Sequence, residues 1–338
     1  MDFTDVRLRL WEDPALREEL LSWVRDRLAE RGARLLADPP RVRMRPWSTT
    51  ARFASTLGPV WFKANAPGGE FEAALHGALH AWVPGRVVPP LAVDVTRGWT
   101  LMPDAGPALR EQTAPDDFTV WEAMLGAYAE LQRRLVPRVR DLLALEVPDL
   151  RPTALGRWLD HFLADPDTAD ALGDGLDLLL RNRSVFDADC KALDDTGIPA
   201  SLDHVDLHLG NVFVLEGGYR FADWGDSVVA HPMASLMVPL SIARDHFNAD
   251  ARTRRRLRDA FLEPWTALRP AADLRAAVPR ATRLAALSRC LAWARTFPET
   301  RAPLSRHRAT ETARLLRGLL AEAPHDTETD LGGPPPTG

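Results

Sequence analysis

The side chains best suited to chemistry are two aspartates and an asparagine in one short stretch of the chain. Asp206 is followed five residues later by Asn211, and Asp223 comes just before Gly225. A carboxylate such as Asp206 can orient a hydroxyl nucleophile and accept its proton. The amide oxygen of Asn211 and the carboxylate of Asp223 are hard ligands of the kind that bind Mg²⁺. This order of residue types is typical of phosphoryl transfer, with Asp206 catalytic and Asn211 and Asp223 holding the metal.

Two short apolar runs predict the hairpin that positions these groups. Residues 212–215 and 219–222 are rich in strand-forming side chains, and Glu216-Gly217-Gly218 separates them. A tight turn with glycines is typical of such a hairpin. We expect it to hold the loop before residue 212 beside Asp223. Gly225 would let the chain turn sharply after the metal-binding aspartate, where a side chain would be a steric burden.

A second chemical interpretation treats His204, Asp206 and His208 as a transition-metal cluster, as in a metallohydrolase. The three residues alternate along the chain, so on a strand they would share one face. No further His or Cys follows in the expected local grouping, and Asn211 and Asp223 would then have no role. In a third interpretation, these residues are only solvated or capping groups in a loop.

The residues from His204 to Asn211, followed by Phe221 to Gly225, resemble the motifs of the aminoglycoside phosphotransferase family. They read His-Val-Asp-Leu-His-Leu-Gly-Asn and Phe-Ala-Asp-Trp-Gly, and weaker matching extends over about residues 40–300. The family has a protein-kinase-like fold. The resemblance implies ATP- or GTP-dependent phosphorylation of a small molecule, with His204 and His208 supporting the catalytic loop.

Three positions depart from the family pattern. Val205 and Leu209 stand where Gly and Pro are common, and Ser235 stands where an Asp often follows the metal loop. The catalytic residues are retained in spite of these changes. The departures bear on the class of substrate.

A lysine among large apolar residues predicts a nucleotide contact. Of 42 basic residues only Lys63 and Lys191 are lysines. A compact ammonium suits phosphate oxygens better than a planar guanidinium, which favours a nucleotide-binding role for Lys63. Glu72 shares a face with the apolar residues of a predicted helix over 70–82, so it is a better partner for Lys63 than Glu70. Chance retention of the lysine is the alternative.

Strands are predicted at 41–47, 51–57, 60–64, 91–95 and 99–102. Ser48 and Thr49 fall in the first connection, which in a kinase-like fold would lie over the ATP phosphates, and their hydroxyls would then contact the nucleotide. A plain β-turn is the alternative. Met102 ends the last strand, where the chain would cross between lobes and bind adenine through backbone groups.

Helical periodicity is predicted over 14–31, 116–141, 152–164, 170–192, 251–268, 271–297 and 305–323, with a further helix beginning near 234. Pro279 should kink or split the helix over 271–297. We expect an α+β, two-lobe, protein-kinase-like fold. It would comprise an N-terminal helical extension (1–38), an N-lobe (39–102), a C-lobe (103–323) and a disordered tail (324–338).

Composition limits the compartment and the partners. Two cysteines in 338 residues make no disulfide framework, and no segment resembles a signal peptide or a membrane span. We therefore expect a cytoplasmic protein. The net charge of −5 argues weakly against a nucleic-acid partner. No obligate protein partner is evident, and the segment after Asp226 lacks the peptide-docking platform of a protein kinase.

The favoured function is ATP-dependent and Mg²⁺-dependent phosphorylation of a hydroxyl on a small molecule. Residues 240–323 carry 17 arginines against 8 acidic residues, an excess that would repel a polycation. A sugar or metabolite alcohol is therefore favoured over a cationic aminoglycoside, although the aspartates between 160 and 177 would favour a cationic acceptor. A non-catalytic nucleotide-binding protein of the same fold is a further alternative.

Overall fold

The computed structural model describes residues 11–296 and 302–320. They divide into two compact units, each assembled from separate chain segments. The first, which we name the sheet unit, takes its residues from Met1–Ala108, Phe213–Gly225 and Ala294–Leu304. The second, the helical unit, takes its residues from Leu109–Val212, Asp226–Trp293 and Ser305–Gly338. The hairpin that precedes Asp223 therefore groups with the sheet unit, although the linear division of the sequence had assigned it to the C-lobe.

An antiparallel sheet of five strands forms the sheet unit, in the order β1-β2-β3-β5-β4. Its strands are β1 (Arg41–Met44), β2 (Ser48–Phe53), β3 (Val60–Asn65), β4 (Ala92–Asp94) and β5 (Trp99–Pro103). In β3, Lys63 pairs with Thr50 on one side and Thr100 on the other. The sheet confirms the predicted antiparallel N-lobe, although several strand boundaries differ from the prediction. The turn between β1 and β2 is residues 45–47, because Thr49 pairs with Met44 of β1 and Ser48 pairs with Asn65 of β3.

Two helices belong to this unit, α1 (Pro14–Ala29) and α2 (Phe71–Trp82). The Asp13 carboxylate caps α1 by accepting hydrogen bonds from the backbone of Ala15 and Leu16. Helix α1 packs its apolar face into the core of the sheet, and Trp23 meets Phe62 edge-on with 6.1 Å between ring centroids. The amphipathic pattern had predicted α1, but not this position.

The predicted hairpin forms from β8 (Val212–Leu215) and β9 (Gly218–Phe221), but its turn has two residues and not three, because Gly218 belongs to β9. Glu216 and Gly217 both have positive φ, 51° and 73°, which is the conformation that two-residue hairpin turns require. The hairpin is tied to the rest of the sheet unit by bridges from Val87 to Phe221 and from Ala108 to Phe213. It delivers the chain directly to Asp223.

Helices dominate the rest of the chain. They are α3 (Leu109–Gln112), α4 (Phe118–Leu135), α5 (Val139–Ala144), α6 (Leu155–Leu163), α7 (Pro166–Leu172), α8 (Asp174–Arg181), α9 (Arg183–Asp195), α10 (Met237–Asp245), α11 (Ala251–Leu262), α12 (Ala271–Leu284), α13 (Ala286–Thr296) and α14 (Ala302–Arg317). A small mixed sheet joins them, with β10 (Val228–Ala230) between β6 (Asp149–Leu150) and β7 (Ser201–Asp203). This composition confirms the predicted α+β class.

Several predicted helix boundaries were wrong. The continuous helix expected over 170–192 is interrupted at Gly173, whose φ is 53°, and again at Asn182. Pro279 does not split its helix, since α12 runs through it and ends at Leu284. Burial of Leu274 and Val278 on α12 offsets the one hydrogen bond that a proline cannot donate. The predicted tail, residues 324–338, lies outside the described residues.

Helix α4 fixes the strand that leads to the catalytic loop. Tyr128 and Gln132 on its buried face both donate hydrogen bonds to the backbone carbonyl of Leu202 in β7, at 3.0 and 2.8 Å. Ser201 returns a hydrogen bond to the carbonyl of Gln132 at 2.7 Å. The first two residues of β7 are therefore anchored to α4 before the chain reaches Asp206.

Among the helices that the structure describes, none combines the length and the apolarity needed to cross a membrane.

Candidate active site

In the sheet unit, two carboxylates meet at Lys63. Lys63 on β3 donates to Glu72 on α2, with Nζ 2.9 Å from Oε1 and 2.7 Å from Oε2. The same ammonium donates to Oδ1 of Asp223 at 2.5 Å. Of the two glutamates considered from the sequence, Glu72 is therefore the one that pairs with Lys63. We name this group, Lys63 with Glu72 and Asp223, the lysine cluster.

The charge of Lys63 is strongly favoured in this setting. Its side chain is only 13% exposed, against 56% for Asp223. Burial alone would lower the pKa of Lys63, but the carboxylates of Asp223 and Glu72 together raise the pKa well above its ordinary value. Lys63 is therefore a permanent cation held between two carboxylates.

Glu72 also connects the lysine cluster to its surroundings. Its Oε1 accepts a hydrogen bond from the backbone N–H of Trp224 at 2.9 Å, and its Oε2 accepts one from the amide of Asn65. Asn65 lies two residues after Lys63 and so points to the same face of β3. Asn65 was not predicted from the sequence, and its two-residue spacing from Lys63 is the signal that could have found it.

Gly225 lies where a side chain would crowd Glu72. The positive backbone angle lies at Asp223, with a φ of 67°, and not at Gly225. A Cβ at Gly225 would lie 3.1 Å from Oε2 of Glu72, tighter than an ordinary van der Waals contact. The glycine therefore permits a close approach to Glu72 and is not required for a left-handed turn.

In the helical unit, hydrogen-bond donors surround the carboxylate of Asp206. Nη1 of Arg289 lies 3.2 Å from its Oδ1, and Nε2 of His208 lies 3.3 Å from its Oδ2. The amide of Asn211 donates to the backbone carbonyl of Asp206 at 3.0 Å and to Oδ2 at 3.3 Å. We name Asp206 with His208, Asn211 and Arg289 the aspartate cluster.

These contacts keep Asp206 ionised. Burial opposes ionisation, but the hydrogen bond from His208 and the charge of Arg289 outweigh it and hold the pKa of Asp206 well below its ordinary value. The ring of His208 is itself oriented, because its Nδ1 accepts from the backbone N–H of Gly210 at 2.9 Å. Nε2 is then the protonated nitrogen that faces Asp206.

His204 does not join these groups. Its side chain is fully buried and meets Tyr128 edge-on, with 6.3 Å between the ring centroids. Within residues 11–296 and 302–320, no three His, Cys, Asp or Glu side chains are grouped so that they could hold a metal ion. The cluster of His204, Asp206 and His208 expected for a metallohydrolase is therefore not formed.

The remaining predicted nucleotide contacts lie along the sheet. Ser48 and Thr49 are buried at the start of β2, 6% and 1% exposed. Met102 is half-buried near the end of β5, paired with Trp61. The N–H of Asp104, two residues on, donates to the carbonyl of Pro59 at 3.0 Å, so it is already used within the sheet unit.

Most of the chain resembles solved structures of small-molecule kinases. It matches a Plasmodium vivax ethanolamine kinase with a TM-score of 0.56 and 11% identity, over 83% of each chain. The match to a macrolide 2'-phosphotransferase of type I has a TM-score of 0.52 and 13% identity, over 91% of this chain and 97% of the other. An amicoumacin kinase in complex with AMP-PNP and Ca²⁺ matches with a TM-score of 0.51 and 14% identity, over 84% and 89%.

No protein-family model and no curated protein matches the sequence. At identities of 11 to 14% a structural likeness establishes the fold alone. The chain therefore has the protein-kinase-like fold that these small-molecule kinases share.

Proposed function

We propose that this protein is an ATP-dependent O-phosphotransferase that acts on a hydroxyl group of a small molecule. The observation that carries the proposal is the aspartate cluster, in which Asp206 is half-buried, ionised and oriented by donors on both of its oxygens. Each carboxylate oxygen can accept two hydrogen bonds, so the hydroxyl of a substrate can still bind to Asp206. The fold, shared with kinases of small molecules, agrees with this function.

In the proposed step, Asp206 accepts a hydrogen bond from the acceptor hydroxyl and takes up its proton. The hydroxyl oxygen forms a bond to the γ-phosphorus of ATP, while the bond from that phosphorus to the bridging oxygen breaks. The electron pair of the broken bond leaves with ADP. Because Asp206 has a low pKa, it acts mainly by orienting the hydroxyl, and the proton moves late, as charge leaves the nucleophile.

The lysine cluster is proposed to bind the nucleotide. The ammonium of Lys63 can contact phosphate oxygens while Glu72 keeps it in place from α2. Asp223 is the most exposed of the three side chains, so its carboxylate can exchange Lys63 for another cation. Ser48, Thr49 and Met102 are proposed as further contacts along the sheet, with ATP as the proposed donor and GTP as the alternative.

The residues fit a magnesium ion in their chemistry. Asp223 offers an exposed carboxylate, and Asn211 directs its Nδ2 at Asp206, which leaves its Oδ1 for a cation. Both are oxygen ligands of the kind that Mg²⁺ prefers. When bound, the ion neutralises charge on the β- and γ-phosphates.

We infer that the acceptor is neutral or anionic, such as a sugar or a metabolite alcohol. Arg289 places a positive charge directly at Asp206. Two of the aspartates that could have attracted a cationic antibiotic are already engaged, because Asp160 pairs with Arg183 and Asp165 contacts Arg308 at 3.5 Å. The acceptors named for the neighbours, ethanolamine and a macrolide, belong in the test panel, as does an aminoglycoside.

A screen of acceptors tests the proposal. Purified protein with Mg-ATP or Mg-GTP is offered sugars, sugar acids, amino alcohols, a macrolide and an aminoglycoside, and release of the nucleoside diphosphate is followed. We expect release that depends on a neutral or anionic alcohol, and Asp206→Asn is the control that should slow it by about 10²- to 10⁴-fold. Tight nucleotide binding without transfer to any acceptor would favour the non-catalytic alternative. Transfer to the aminoglycoside alone would reject the inference that the acceptor is neutral or anionic.

We also propose a cytoplasmic location. The buried free cysteines Cys190 and Cys290 agree with a reducing compartment.

A further inference from the structure

A buried carboxylate lies directly behind the catalytic loop. Asp203 is the last residue of β7 and is 1% exposed. Its Oδ1 accepts two hydrogen bonds, from the backbone N–H of Val205 at 3.1 Å and from the hydroxyl of Ser235 at 2.7 Å. Burial raises the pKa of Asp203, although both hydrogen bonds oppose this effect. A carboxylate is costly to bury, and its contacts show what it supports.

The supported residue is strained. Val205 has a φ of 66°, a left-handed conformation that β-branched side chains adopt only at a cost. Side chains bind the peptide groups on both sides of Val205. Asp203 accepts a hydrogen bond from the N–H of Val205, and Nη1 of Arg289 donates one to the carbonyl oxygen of Val205 at 3.3 Å. Val205 immediately precedes Asp206. The strained conformation therefore sets the direction in which the Asp206 carboxylate leaves the chain.

Ser235 supplies the second hydrogen bond to Asp203. The sequence has Ser235 where related motifs often carry an aspartate, and Asp203 directs its carboxylate at that serine. Gln132 on α4 donates to the Ser235 hydroxyl at 2.9 Å, so the serine connects Asp203 to the core. A cavity of about 10 Å³ lined by Asp203 and Ser235 lies beside them. It has room for roughly one water molecule and not for an acceptor.

We propose that Asp203 is a positioning residue for phosphoryl transfer, and that it supplies from β7 the carboxylate that related motifs place at position 235. The inference rests on the proposed function. Asp203 holds Val205 in its left-handed conformation, and Val205 in turn directs Asp206 at the acceptor. Asp203 does not touch the substrates. It should therefore affect kcat and leave nucleotide affinity nearly unchanged.

Moving the carboxylate tests this role. Asp203→Ser should lower kcat by about 10²-fold, the size expected when a catalytic group is misplaced by roughly 1 Å. The KM for ATP should change less than about threefold, because the lysine cluster is intact. Asp203→Asn keeps an acceptor oxygen for the Val205 N–H and should retain most of the activity. Asp195→Ser, at an exposed aspartate paired with Lys191, is the matched control and should be neutral.

The decisive variant is Ser235→Asp, because its effect should reverse with the residue at position 203. In the native background it places a second carboxylate against Asp203 and should lower both kcat and the melting temperature, since like charges repel. Combined with Asp203→Ser, it returns one carboxylate to the same place, with the small cavity as spare room. The kcat of that double variant should be at least tenfold higher than the kcat of Asp203→Ser.

The possible outcomes each decide the question. Full activity of Asp203→Ser would overturn the proposal. It would also be overturned if Ser235→Asp lowered kcat equally in the native protein and in the Asp203→Ser variant. If Asp203→Ser does not fold, an active double variant supports the proposal and an unfolded or inactive one overturns it. If the native protein transfers no phosphate, the proposed function fails separately, and the reversal is then measured in melting temperatures alone.

Discussion

The lysine cluster and the aspartate cluster have opposite arrangements of charge. In the first, the cation Lys63 is central and contacts the carboxylates of Glu72 and Asp223. In the second, the carboxylate of Asp206 is central and contacts the donors of Arg289 and His208. The lysine cluster has one cation against two carboxylates, so in the proposed function Asp223 can also bind a metal cation. In the aspartate cluster Arg289 balances the charge of Asp206, and the proposed function adds only a hydroxyl that donates a hydrogen bond.

The largest effect should come from the centre of the aspartate cluster. Asp206→Asn keeps the shape of the side chain but cannot take up the hydroxyl proton, so kcat should fall by about 10²- to 10⁴-fold. Affinity for Mg-nucleotide, measured by calorimetry, should stay close to that of the native protein. Native turnover in a folded Asp206→Asn protein would remove Asp206 from the catalytic role.

The next largest effect separates the two proposed metal ligands. Asp223→Ala should weaken Mg-nucleotide binding by roughly tenfold or more, and more than Asn211→Ala does, because it removes an anionic oxygen and not a neutral one. Titration of both variants with Mg-ATP and with metal-free ATP provides the measurement. An Asp223→Ala protein with unchanged Mg-ATP affinity would show that the lysine cluster does not hold the metal.

A smaller effect is expected from Lys63→Arg, for which the chain supplies its own control. Lys63 occupies a small space between β3 and α2, and a planar guanidinium there would disturb both Glu72 and the phosphates. We expect kcat/KM for ATP to fall by about tenfold. The same change at Lys191, whose side chain is 74% exposed, should have no effect. Equal behaviour of the two variants would mean that Lys63 was retained by chance.

The two clusters also differ in how far the sequence predicted them. Lys63 and Glu72 could be paired because strand and helix periodicity assign each a face, and Asp223 follows a recognisable hairpin. Arg289 could not be found, because it is one of 17 arginines between 240 and 323 and lies 83 residues after its partner. Asp203 was missed because nothing local signals that a carboxylate will be buried.

The fold shows the same limit on a larger scale. Antiparallel strands and amphipathic helices were predictable from local patterns, and so was the α+β class. The boundary of β2 was not, because Ser48 and Thr49 suit either a turn or a strand, and pairing with β1 and β3 decides between them. The uninterrupted course of α12 through Pro279 likewise depends on packing that is absent from the local sequence.

The smallest effect concerns pH. The depressed pKa of Asp206 means that its contacts stabilise the fold above the ordinary aspartate pKa, and this contribution is lost as pH falls towards the depressed value. Arg289→Met removes one cause of the depression. Its melting temperature should therefore lie below that of the native protein at pH 7, and the difference should shrink as pH is lowered towards about 3. A difference that is constant with pH would point to lost packing and not to charge.

The most direct test of the central claim is phosphorus-31 NMR of the complete reaction with the best acceptor from the screen. We predict that the γ-phosphate signal of ATP declines in step with the growth of a phosphate-ester signal and of ADP, one to one, and that Asp206→Asn slows both changes by about 10²- to 10⁴-fold. Appearance of inorganic phosphate alone would contradict the account, because it would show that water, and not an alcohol held at Asp206, receives the phosphoryl group.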